Sequence, residues 1–263
     1  GVDMGRVTGK SIIVTGAGSG IGEGFARILA AEGAKVGVCD LNTAAAERVA
    51  KAINENGGQA LALTADVSKR DQVRTSFKNF VDWAGSLDVI FNNAGFNKPM
   101  HLMEVTEDNW NAIMNVNGLG VLICTQEAGK YMIAQKSGKI INTASIAGRQ
   151  GYPAFAPYCA SKFAVNALTQ ATARGLAEHN ITCNSFAPGV VDTPLWIDLD
   201  RDLMEMGMSE RPGQATEEFS AGILRGRAAT PADLQGMALF LASSDSDYMT
   251  GQTIMIDGGM VLV

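Results

Sequence analysis

Short apolar runs recur along this chain, and between them lie longer stretches in which apolar residues return every three or four positions. Seven runs have strand length: residues 10–15 (K-S-I-I-V-T), 35–39 (K-V-G-V-C), 60–64, 87–91 (L-D-V-I-F), 139–142 (K-I-I-N), 181–186 and 253–256 (T-I-M-I). Apolar runs this short, bounded by Gly, Pro or Asn, are the pattern of strands buried on both faces. The segments between them read as helices. Phe25, Ile28 and Leu29 mark the first, residues 43–56 stop at Gly57-Gly58, and Val73, Phe77 and Val81 share one face of 69–84. Thr106 opens a long helical stretch carrying Trp110, Ile113, Val116 and Leu122; another helix bears Tyr158 and Lys162, and 232–242 precedes the last strand. Alternation from end to end predicts an α/β fold, a parallel sheet covered by helices on both faces. With no linker or repeat, residues 1–263 read as one domain, Gly1-Val2-Asp3 ahead of Met4 being an appended remnant.

Residues 193–226 depart from the pattern. They mix Trp196, Leu199, Met204, Met206 and Met208 with charges and are interrupted by Pro212-Gly213. Adaptable methionines and a tryptophan suit a mobile lid over a small substrate, and equally a packing or interface segment.

Charge and composition narrow the function classes. A net charge of −6 argues against a nucleic-acid partner, which draws on clustered Lys and Arg. No apolar run approaches the ~18 residues of a membrane span, and no signal-peptide pattern opens the chain. Cys39, Cys124, Cys159 and Cys183 form no C-x-x-C pair and read as reduced thiols of a cytoplasmic protein. His101 and His179 lack metal-ligand spacing, so neither a metal site nor a Ser-His-Asp hydrolase is expected.

Candidate chemistry lies at the ends of the strands. The first strand runs into Thr15-Gly16-Ala17-Gly18-Ser19-Gly20-Ile21-Gly22 and then a helix, the setting in which a glycine loop cradles a pyrophosphate. The second strand ends at Asp40, an acid that can accept hydrogen bonds from an adenosine ribose and repels a 2′-phosphate. No basic residue lies between Lys35 and Arg48 or in the glycine loop, which favours NAD over NADP. Asp40 also reads as a helix cap, a place Asn42 fills equally well. Tyr158 and Lys162 stand four apart on a helix, one turn apart on one face, where an ammonium favours a phenolate that can act as a general base.

In this order, T-G-x-x-x-G-x-G at 15–22, Asp66, N-N-A-G at 92–95, Asn117, Ser145, Y-x-x-x-K at 158–162 and P-G at 188–189 resemble the short-chain dehydrogenase/reductase family from the first strand to the C-terminus. The resemblance implies a Rossmann-type sheet of seven parallel strands in the order 3-2-1-4-5-6-7 and a homotetramer. It implies Tyr158 as acid/base on the substrate oxygen and Lys162 as the group that lowers the Tyr158 pKa and holds the nicotinamide ribose. Ser145 is then a donor to the substrate oxygen, and Asn117, in a kinked helix, positions a relay water. Gly16, Ser19, Gly20 and Ile21 would contact the pyrophosphate and Asp40 the ribose, with Asp66 and Val67 at the adenine. Asn93 and Gly95 would line the centre, and Val191 and Thr193 would touch the carboxamide.

A substrate pocket is expected from Ser145, Ile146, Ala147, Gln150, Tyr152, Tyr158, Gly189, Val190 and Trp196. It carries no cluster of cations, Arg149 aside, so the substrate is expected to be uncharged. Pro194-Leu195-Trp196 and Asp257-Gly258-Gly259-Met260 resemble dehydrogenases of the butanediol/acetoin and sorbitol/galactitol types. The expected reaction is hydride transfer between NAD and a secondary alcohol of a polyol or small vicinal diol. An oxoacyl-thioester reductase and a non-catalytic nucleotide sensor on the same fold are the alternatives.

Overall fold

The computed structural model describes residues 5–263; the remnant read at residues 1–3 falls outside the described residues. Its strands are β1 (Ser11–Thr15), β2 (Lys35–Asp40), β3 (Gln59–Thr64), β4 (Val89–Asn92), β5 (Gly138–Thr143), β6 (Ile181–Pro188) and β7 (Thr253–Ile256). They form one seven-stranded sheet, parallel throughout, in the order β3-β2-β1-β4-β5-β6-β7. Strand order reverses between β1 and β4, and a cleft opens beyond the carboxyl ends of strands at such a point.

Helices α1 (Gly20–Ala31), α2 (Thr43–Glu55), α3 (Arg70–Ala84), α4 (Glu107–Met114), α5 (Gly120–Gln135), α6 (Ala156–Leu176), α7 (Pro194–Glu205), α8 (Gln214–Ser220) and α9 (Gln235–Ala242) surround the sheet. Successive side chains of a strand point to opposite faces, and this divides the core in two. Ile12 and Val14 pack with Phe25 and Leu29 of α1 and Leu241 of α9, while Ile13 packs in the second layer with Phe77 and Phe80 of α3 and Met132 of α5. Both faces are apolar, which is why the strands read as continuous runs. Among the described residues no helix is long and apolar enough to cross a membrane.

Three departures from the pattern have local causes. The fourth strand begins at Val89 because Asp88 turns its carboxylate to the Ser11 N–H, 2.8 Å away, and Leu87 donates to the Gln135 side chain. The sixth strand runs two residues further, to Pro188, where Ala187 and Pro188 pair with Met255 and Ile256 of β7. The long helix predicted from Thr106 is divided by a π-turn at Asn115–Leu119 between α4 and α5.

Residues 193–226 hold α7 and α8. Asp200 ties the two together, accepting from the backbone N–H of Gly213 at 2.6 Å and of Thr216 at 3.3 Å. Their apolar side chains join Ala147, Ala154 and Phe155 in a separate small core. Met206 packs against it, whereas Met208 is exposed.

Candidate active site

The glycine loop leaves β1 and enters α1 beneath a cleft of about 320 Å³ lined by Gly16, Ser19, Gly20, Ile21, Asn93 and Gly95 from the loop and the strand ends. Gly16 and Gly20 have φ of 63° and 56°, which side-chain-bearing residues rarely adopt. A Cβ at Gly18 would stand 2.8 Å from Asp40 Oδ2, and one at Gly22 would overlap the Gly16 carbonyl. Ser19 occupies the N-cap of α1 without a side-chain cap bond, so the first N–H groups of the helix remain available to an anion. These features fit a dinucleotide pyrophosphate.

Asp40 lines the same cleft, accepting from the Gly18 N–H at 2.8 Å and the Asn42 N–H at 2.9 Å. Asn42, not Asp40, caps α2 through the Ala45 N–H. One cation from beyond that stretch is close. Arg48, on α2, donates to the Gly18 carbonyl at 2.8 Å, and its charge is taken by Glu23 at 2.9 Å, which also pairs with Arg27 at 2.7 Å. Its reach depends on how α2 lies against the loop, which spacing alone does not reveal. An adjoining groove is lined by Asp40, Asp66, Val67 and Gly95, together with Leu41 and Val116, which the sequence reading did not select.

At the other end of the cleft stand Ser145, Tyr158, Lys162, Gly189, Val191, Thr193 and Trp196. Ser145 ends the loop after β5 in extended backbone, and its Oγ accepts from the Ala147 N–H at 3.0 Å. That bond uses an acceptor site of the hydroxyl and leaves its hydrogen free to be donated. Lys162 is 5% exposed, stands 5.5 Å from the Tyr158 ring centroid and donates to the Thr143 carbonyl at 2.9 Å.

Burial dominates both titratable groups. Burial pushes the Tyr158 phenol up to about 12, only partly offset by its hydrogen bond with Ser145. Burial also brings Lys162 down to about 8.

Asn117 lies one layer behind the cleft. The π-turn presents its amide to the chain after β4, where Oδ1 accepts from the Phe96 N–H at 3.0 Å and Nδ2 donates to the Phe96 carbonyl at 3.0 Å. Gly95 runs between it and Lys162: a Cβ there would be 3.0 Å from Asn117 Oδ1 and 3.8 Å from Lys162 Nζ.

A smaller cavity, about 40 Å³, opens beside Ser145 and Tyr158 and carries no charged side chain in its wall. Ile146, Ala147, Tyr152, Gly189 and Trp196 line it, as does Phe219 of α8, whose ring meets Trp196 at 5.4 Å and Phe155 at 5.8 Å. Gln150 corrects the expectation: it is exposed outside the wall and only meets the Tyr152 hydroxyl, 3.2 Å away. Val190 is buried but is likewise not part of the wall. Asn97, Phe155, Leu195, Leu199 and Phe219 belong to the wall and were not singled out from the sequence. A loop position at the carboxyl end of the central strand was the available signal for Asn97; nothing in the pattern marks Phe219.

The profile of a family described as short chain dehydrogenase matches residues 10–203. The chain is 40% identical over 253 residues to a diacetyl reductase [(S)-acetoin forming] of Staphylococcus epidermidis, covering 96% of this chain and 98% of that protein. Its structure is similar to that of an NAD⁺-bound xylitol dehydrogenase, with a TM-score of 0.92 at 31% identity over 97% of this chain and 100% of that one. It is also similar to a gluconate 5-dehydrogenase of Burkholderia cenocepacia in complex with NADP and tartrate, with a TM-score of 0.88 at 35% identity over 98% and 97% of the two chains.

Proposed function

The chain belongs to the short-chain dehydrogenase family, and from that premise we propose that it transfers a hydride between NAD and an uncharged secondary alcohol or its ketone, in a polyol or small vicinal diol. The observation that carries the proposal is the meeting of Ser145, Tyr158 and Lys162 in one cleft with the glycine loop and Asp40. The uncharged wall of the smaller cavity, the diacetyl reductase relative and the xylitol dehydrogenase neighbour support this substrate class.

When bound, the nicotinamide takes or returns the hydride, and its oxidised ring brings positive charge. The chain's own residues place the substrate and move the proton. Tyr158 takes the hydroxyl proton during oxidation and returns it during reduction. Ser145 donates its free hydrogen to the same oxygen and stabilises the negative charge that develops there. Lys162 is anchored by the Thr143 carbonyl and would hold the nicotinamide ribose, and Asn117 fixes the Phe96 backbone next to Gly95. Residues 193–226 act as the lid, with Trp196 and Phe219 closing the far end of the cavity. Exposed Ile133 on α5 and Phe163 on α6 support assembly into the homotetramer the family implies.

NAD is the proposed cofactor because the Asp40 carboxylate lines the cleft, where it would meet the adenosine ribose, and Arg48, the nearby cation, is already paired with Glu23. A 2′-phosphate there meets one carboxylate and no free counter-charge. Asp40→Ala is expected to shift the NAD:NADP ratio of kcat/KM toward NADP by about tenfold or more, the equivalent of ~1.4 kcal/mol. Paired initial rates with the two cofactors check this, and an unchanged ratio removes Asp40 from the account.

A further inference from the structure

The wall of the smaller cavity contains one polar group that the reaction as described does not use. Asn97 lies two residues beyond Gly95, in the connection between β4 and α4, and lines the cavity together with Ser145 and Tyr158. Its amide nitrogen and its amide oxygen are both buried, and neither has a hydrogen-bond partner among the described residues. Exchanging the two atoms by an amide flip changes nothing, because both are free.

Its neighbours differ from it in this respect. Asn92 and Asn109 each leave the amide oxygen unpartnered, but the nitrogen of Asn92 donates to Asn142 at 3.0 Å and that of Asn109 to the Lys98 carbonyl at 3.1 Å. Both are held by the protein. A buried amide with donor and acceptor both unused is costly, and native proteins rarely keep one without a use.

We propose that Asn97 is a specificity-determining residue that hydrogen-bonds a second oxygen, on the carbon next to the reacting one, and so selects vicinal diols, hydroxyketones and diketones over isolated alcohols and ketones. Polar side chains in this wall are few. Ser145 and Tyr158 are assigned to the reacting oxygen, and the Tyr152 hydroxyl is turned to Gln150. The rest is made by residues such as Ile146, Leu195 and Phe219, which offer no side-chain hydrogen bond. A second oxygen on the substrate therefore finds one free side-chain partner, and the small cavity holds that oxygen close to the first.

An amide suits this task in both directions of the reaction. Its N–H₂ donates to a carbonyl oxygen and its C=O accepts from a hydroxyl, so either oxidation state of the neighbouring carbon is matched. An isolated alcohol leaves both amide atoms unpaired in the closed site, and a site built to bond a polar group discriminates strongly against the analogue that lacks it.

This inference rests on the function proposed above, and its test separates the two. Steady-state kcat/KM is measured with NAD for butane-2,3-diol and butan-2-ol, which share a carbon skeleton, in the native protein, Asn97→Ala and Asn97→Ser. The native protein is expected to favour the diol by about tenfold or more, and Asn97→Ala to lose about 10–100-fold on the diol but less than about threefold on butan-2-ol. Asn97→Ser, with a shorter hydroxyl, is expected to fall between them, and it carries the comparison if the alanine variant does not fold. Parallel losses on both substrates, or an unchanged ratio, overturn the assignment and leave the enzyme's proposed reaction standing. Equal use of the two alcohols by the native protein does the same. Turnover of neither alcohol with NAD or NADP, in a folded protein, overturns both the assignment and the proposed function.

Discussion

Tyr158→Phe is expected to lower kcat for alcohol oxidation by about a thousandfold, the range in which a positioned acid or base contributes, while fold and cofactor binding stay close to native. The substitution removes one hydroxyl and keeps the ring, which packs with Phe155 and Leu199 in the small core under α7. The Ser145 hydroxyl remains to hold the substrate oxygen, but the substrate proton has no acceptor. Initial rates, with a fluorescence titration of NAD binding in parallel, separate chemistry from binding. A variant that keeps more than about a tenth of the native rate, above the loss general-base removal causes, contradicts the role of Tyr158 as the base.

Lys162→Met is expected to abolish turnover and yet make the protein more stable at neutral pH. Lys162 is buried, accepts no charge partner among the described residues and donates only to the Thr143 carbonyl. Its pKa falls from 10.5 to about 8, so burying the ammonium opposes folding by roughly 3 kcal/mol while the group is charged. The unfolded chain binds the extra proton between pH 8 and 10.5, so this contribution opposes folding fully below about 8 and fades as pH rises toward 10.5. Methionine removes the charge and keeps the volume, but leaves the Thr143 carbonyl unpaired at a cost of about 1–2 kcal/mol. The net gain is then about 1–2 kcal/mol at pH 7, a rise in Tm of roughly 2–8 °C for a chain of this size. Chemical denaturation at pH 7 and pH 10 measures it. A variant less stable than the native protein at pH 7, or a difference that does not shrink with pH, contradicts the reading of Lys162 as a buried, costly charge kept for chemistry.

What was legible in the sequence follows from how each feature is encoded. A strand buried on both faces cannot hide: Ser11–Thr15 is buried throughout, and its apolar run marks it to within one residue. The glycine loop was legible because Gly16 and Gly20 answer to backbone conformation, a local demand. Features set by the packing of distant elements were not. Arg48 reaches the Gly18 carbonyl only because α2 lies across the loop. Phe219 joins Tyr152, Phe155 and Trp196 only because α8 folds back over the cavity. Gln150 lies outside the pocket because the turn at Ile146–Gly148 carries the chain out to the surface before it, and a turn's direction is not written in the sequence. The π-turn that sets Asn117 has no pattern of its own, since Asn115–Leu119 reads as ordinary helix.

The most direct test of the central claim is the nicotinamide absorbance band, followed while the protein is given NAD or NADP with a panel of polyols, vicinal diols and matching ketones. The account predicts NADH formation from at least one vicinal diol or polyol, faster with NAD than with NADP, and loss of that signal in Tyr158→Phe. No change with either cofactor across the panel, in a protein that is folded and binds NAD, would contradict it and favour a nucleotide-sensing role for this cleft.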